Sequence, residues 1–141
     1  MKIYAWVENA HLFTSEDENL APSDAIEFDV ESPDDVIYDG TQIRLKTQDE
    51  KLQELKAQKL SELKTYIASL LASTDYIITK IAEAQIQNDT AKVEAIKQKY
   101  SVQLQQREAI RQWNEQMEQA INNAQSLDEL NSIVIQFGRM E

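Results

Sequence analysis

The sequence predicts an α+β chain, mainly α: a small N-terminal antiparallel sheet, a long coiled-coil-like helical hairpin and a short C-terminal helix. Three observations carry this. Apolar residues alternate with polar ones in short runs through residues 1–46, then recur every three or four residues from Gln48 onward, so the period changes from two to about 3.6. Only two glycines and two prolines occur in 141 residues, and these are the residues that break helices. Finally, Leu60, Leu63, Ile67, Leu70, Thr74, Ile77, Ile81 and Ala84 fall at alternating steps of three and four, a seam that wants another helix lying along it. The chain divides into a β module over 1–46 and a helical module over 47–141.

Residues 2–7 place Ile3, Ala5 and Val7 on one face and Lys2, Tyr4 and Trp6 on the other, the alternation of a strand. Residues 8–24 read as a polar connection with turn formers. Ile26, Phe28 and Val30 alternate with Glu27 and Asp29 as a second strand, and Ser32-Pro33-Asp34-Asp35 is a turn. Val36-Ile37-Tyr38 and Thr41 to Leu45 flank Asp39-Gly40, which predicts a hairpin with that pair at its two-residue tip. A sheet of three or four such strands is too small to stand alone and should rest on a helix. Leu52 and Leu55, out of phase with the later seam, are expected to serve it.

Thr47 is placed to cap the first long helix, with Asp49 and Glu50 in its first turn, where the helix dipole favours acids. Ser73-Thr74-Asp75 are cap-type residues, so a break there competes with a continuous helix to Gln87. Asn88-Asp89-Thr90 is the turn, with Asp89 capping a second helix from about Thr90 to Asn123. That helix carries Val93, Ile96 and Tyr100, then Ile110, Trp113, Met117, Ala120 and Ala124. A short loop between two helices of similar length predicts an antiparallel pair. Ser126-Leu127-Asp128-Glu129 matches the capping box of a third helix ending near Gly138.

Net charge is −11. Residues 1–47 hold 11 acids and 3 bases, and no basic stripe follows, so phosphate backbones are repelled and nucleic acid is not an expected partner. The absence of cysteine removes disulfides and thiolate metal sites. No apolar run approaches the roughly 20 residues of a membrane span, and the first seven residues are too short an apolar stretch for a signal peptide. A soluble protein made in a cytoplasm is expected.

No cluster of residues suggests chemistry. His11 is the only histidine and lacks partners at a defined spacing. Glu16-Asp17-Glu18 and Asp34-Asp35 lack the ligand spacing and glycine of a calcium loop and read as solvated acids. No phosphate-cradling glycine loop and no serine–base pairing appears. The expectation is no enzyme, no cofactor and no metal. Trp113 and Met117 fit either internal core or a partner anchor. Leu71, Ile78, Ile86 and Val102 lie off the seam, which implies further helices from another copy or from a partner.

Two segments carry a family resemblance. Leu70-Leu71-Ala72-Ser73-Thr74-Asp75-Tyr76 resembles an L-L-A-x-T/S-D-W/Y stretch of tailed-phage tail-fibre assembly and tail-assembly proteins. Arg107-Glu108-Ala109-Ile110-Arg111 resembles the R-x-x-L/I-R element that follows it there, and the segment from Ala120 to Leu130 is similar to their C-terminal helix. The short β portion ending in Asp39-Gly40 matches what such proteins carry before their helices. Tyr76 stands where Trp is more usual, and the spacer between the two elements is longer. The resemblance implies binding without catalysis, in the host bacterial cytoplasm during assembly or in the virion. The partner is a phage tail or tail-fibre protein, a second copy of the chain, or both. Two readings stay open, an assembly protein and a permanent homo-oligomeric connector. In either, the interface residues are Leu60, Leu63, Ile67, Leu70, Ile77, Ile81, Trp113 and Met117.

Overall fold

A computed structural model of the protein describes residues 1–138. They form an α+β structure, mainly α: five short strands precede five helices. The chain parts into two compact units, Met1–Lys51 and Leu52 onward.

In the first unit, β1 (Lys2–Glu8) is the central strand, paired antiparallel with β2 (His11–Ser15) on one side and β3 (Ile26–Asp29) on the other. A second sheet pairs β4 (Val36–Tyr38) with β5 (Ile43–Leu45). Ile3, Ala5, Val30 and Val36 are buried together, with Leu12, Phe28 and Ile43 packed against them. Ile3 faces Phe28 and Val7 faces Leu12 in the register, so one face of the three-stranded sheet supplies most of this cluster.

Strand β2 overturns the reading of residues 8–24 as a connection. Glu8 pairs with His11, leaving Asn9 and Ala10 as a two-residue tip at φ 51° and 64°. Positive φ at both tip residues is the type I′ requirement. The glycine that usually marks such a turn is absent, which hid it. The β4–β5 turn also differs. Tyr38 pairs with Ile43, so Gly40 and Thr41 form the tip in place of Asp39-Gly40. Only Gly40 has positive φ there, at 92°, the glycine-first pattern of a II′ turn. Asp39 flanks the tip, its N–H donating to Gln42 O at 3.2 Å. Its carboxylate accepts from the backbone N–H of Thr41 and of Gln42, both at 2.9 Å.

The first turn of α1 (Gln48–Ala72) belongs to this unit. Thr47 Oγ1 accepts from Glu50 N–H at 3.1 Å while Glu50 Oε1 accepts from Thr47 N–H at 3.0 Å, a reciprocal capping box. Arg44 clamps the same carboxylate with Nη1 at 2.6 Å and reaches Asp39 Oδ2 with Nε at 3.0 Å. Its guanidinium, then the Thr47 N–H, hold the Glu50 carboxyl down at about 2, against an ordinary 4.5.

In the second unit the two long helices are each interrupted. α1 ends at Ala72 and α2 runs Asp75–Ile86, so the break at Ser73-Thr74 prevails over a continuous helix. The single second helix is corrected to two, α3 (Thr90–Lys99) and α4 (Ser101–Asn123), separated at Tyr100 with φ −109° and ψ 26°. Tyr100-Ser101-Val102 is a run of three weak helix formers, and the Tyr100 ring stands edge-on to Tyr76 at 5.7 Å. Between α2 and α3 the turn falls at Asn88, φ 57°. Asp89 N–H reaches back to Ala84 O at 2.9 Å, and Asp89 Oδ1 caps α3 by accepting from Lys92 N–H at 3.0 Å. One aspartate thus closes one helix and opens the next.

Helix α5 (Leu127–Ser132) starts at the expected capping box, with Ser126 Oγ accepting from Glu129 N–H at 3.1 Å. It stops six residues before Gly138, correcting the longer helix. Ile133-Val134-Ile135 is a β-branched run that resists helix, and Ile133 is already extended. The core here gathers Leu63, Ile121, Ala124 and Leu130, with Leu52, Leu55, Leu60, Ile67, Trp113, Met117, Ile133 and Ile135 against them. Leu52 and Leu55, expected to serve the sheet, pack against the helical core. Eleven residues at about 100° each bring Leu52 to within roughly 20° of Leu63 on a straight helix, although a strict 3.5-residue seam excludes it.

Candidate partner-binding surface

The seam residues divide by depth. Leu63 and Ile77 are fully buried, at 1% and 0% exposure, as is Ala84. Leu60, Ile67, Leu70 and Ile81 are half-buried. Leu60 and Ile67 line a groove of about 510 Å³ with Lys64, Asn114, Glu118 and Asn122. Trp113 and Met117 line another, of about 360 Å³, beside Ala120 and Ile133. The deepest seam residues thus pack within one chain, and of the shallower ones Leu60 and Ile67 border an open groove.

Trp113 is held by aromatic neighbours of its own chain. Its ring lies edge-on to Tyr66 at 5.9 Å and to Phe137 at 5.5 Å, a geometry that adds to simple burial. Tyr66 Oη accepts from Phe137 N–H at 3.0 Å. Lys59 Nζ donates to Ile133 O at 3.1 Å, and Lys56 Nζ to Asn122 O at 3.0 Å, placing cations at helix C-termini where the dipole favours them.

The residue that sequence reasoning did not single out as a site is Arg107, at 5% exposure. Its Nη1 lies 3.0 Å from Leu71 O, 2.9 Å from Thr74 Oγ1 and 3.0 Å from Asp75 Oδ1. Nε, also buried, has no partner among the described residues. The signal was present: Arg107, Ile110, Asn114, Met117, Ile121 and Ala124 keep alternating steps of three and four. An arginine in the register of an apolar seam must find acceptors. It finds them at the break between α1 and α2.

Of the apolar residues off the seam, Leu71 is half-buried while Ile78, Ile86 and Val102 are exposed at 40%, 80% and 72%. Among the described residues no group of three or more His, Cys, Asp or Glu could hold a metal ion, and no helix is long and apolar enough to cross a membrane. His11, on β2, is exposed.

No family model matches the chain, and no curated protein or solved structure matches it.

Proposed function

We propose that the protein works by protein–protein binding, without catalysis, in the assembly of a phage tail or tail fibre. One observation carries this reading. Asp75 in one of the two segments that resemble tail-fibre assembly proteins and Arg107 in the other are 32 positions apart, yet Arg107 bonds directly to Leu71, Thr74 and Asp75. Residues that look like separate motifs form one structural unit, which is what a shared fold would require of them. The grooves beside Leu60, Ile67, Trp113 and Met117 offer half-buried apolar surface rimmed by polar groups, the composition of a protein-binding site.

The test is co-expression with the distal segment of a tailed-phage fibre protein, reading soluble fibre yield and co-purification. The assembly reading predicts more soluble fibre in the presence of the chain, lost in Leu60→Asp with Ile67→Asp. Unchanged yield with no co-purification across a panel of fibres contradicts it. A second reading, a permanent homo-oligomeric connector, is favoured by the exposure of Ile86 and Val102, since apolar side chains left outside a small core suit coverage by another copy.

A further inference from the structure

We infer that the outer hairpin, α2 with α3, is a hinged body held in place by an Arg107 latch. The interruptions at Ser73-Thr74 and at Tyr100 stand at the same level of the hairpin, because Tyr76, just past the first, meets Tyr100 edge-on at 5.7 Å. Both chain connections to the outer hairpin therefore pass through non-helical residues side by side. Paired breaks are where a helical hairpin bends, since unbroken i to i−4 bonding across either would brace it.

Arg107 spans this level. It sits in α4, on the inner side of the breaks, and its Nη1 reaches Leu71 at the end of α1 and Asp75 at the start of α2. Thr74, between them, turns its hydroxyl to Leu71 O at 3.2 Å and lies within 2.9 Å of the same guanidinium nitrogen. One side chain thus ties inner helix, hinge and outer helix together. The tie is incomplete: Nε is buried without an acceptor among the described residues, and the Asp75 carboxylate is 62% exposed, open to competing water. A buried cation with a wet counter-ion is a contact that can open, whereas an apolar filler of equal size would not. Beyond the latch, the hydrophobic side chains buried in α2 and α3 are Ile77, Ala84 and Val93, while the larger core cluster lies on α1, α4, α5 and the adjoining C-terminal segment. The outer hairpin is the less anchored part. This inference holds whatever the partner is.

The experiment combines hydrogen exchange with a distance measurement on the full chain. Asp75→Asn keeps the Oδ1 acceptor and removes its charge; Arg107→Met keeps length and removes the latch. The chain has no cysteine, so Ser61→Cys with Gln87→Cys gives a unique nitroxide pair across the hinge. Both variants should exchange amides of 75–99 at least about tenfold faster, with 55–70 and 105–121 within about twofold of the parent, and should broaden the 61–87 distance distribution. Equal acceleration in all helices would make Arg107 a general stability residue and overturn the hinge. Unchanged exchange and distances would overturn the latch. Should Arg107→Met fail to fold, Asp75→Asn alone decides.

Discussion

Ala10 sits at φ 64° in the β1–β2 turn, where its Cβ crowds the backbone and glycine would not. Ala10→Gly should raise stability by about 0.5–1 kcal/mol, the left-handed strain relieved less the extra freedom of glycine in the unfolded chain. A urea titration checks it, by a higher midpoint at unchanged slope. Glu50 makes the opposite kind of contribution, dependent on charge. Its folded pKa, about 2, lies below the ordinary 4.5, so its stabilisation is complete above the ordinary value and is lost as pH falls from there towards 2. Asp39 is lowered too, by the N–H groups of Gln42 and Thr41 and then by Arg44, and adds in the same direction. Glu50→Gln should therefore lower the thermal midpoint at pH 7 and flatten its decline between pH 5 and pH 2. A parallel decline in both proteins would remove Glu50 from the acid limb. Trp113→Ala separates core from interface at one position. With Tyr66 and Phe137 edge-on to the ring, it should cost about 3 kcal/mol, read as a lower denaturation midpoint. Full stability with lost binding would mark Trp113 as a partner anchor.

Elements were legible where local chemistry had one solution. Asn88-Asp89-Thr90 could be read as a turn because Asn tolerates positive φ and Asp caps, and both residues do so. Ser126-x-x-Glu129 could be read as a helix start for the same reason. Ser126→Ala should cost about 1 kcal/mol, measured by denaturation, since Glu129 N–H then loses its acceptor. The elements that escaped were those set by tertiary contacts. Strand β2 has little apolar alternation and takes its form from pairing with β1. At the Tyr100 interruption the weak helix formers Tyr100-Ser101-Val102 are local, but the ring contact to Tyr76, 24 positions away on the other arm, is not. A strict heptad excludes Leu52 from the seam, whereas a helix of 3.6 residues per turn brings it onto the same face as Leu63. The interface reading divided in the same way. Spacing identified Leu63 and Ile77 as seam residues, but whether a seam faces its own chain or another depends on the return path of α3 and α4, which spacing does not contain.

At the scale of the molecule, charge and apolar surface are distributed unequally. The first unit, through Lys51, holds 13 acids and 4 bases, while the second carries the larger core and the grooves beside the seam. Like charge at this density opposes the association of copies through the first unit. The seam itself supplies the decisive question. Leu63 and Ile77 are buried in one copy of the chain, and Ile121, Ala124 and Leu130 complete the pocket around Leu63. A seam so occupied leaves only half-buried positions such as Leu60 and Ile67 for a partner. Light scattering over a range of concentrations measures this directly. A mass of 16.2 kDa, constant with concentration, is the result predicted for a hairpin that closes its own seam and binds through its grooves. A stable trimer or larger assembly that persists on dilution would contradict it, and would favour the connector reading.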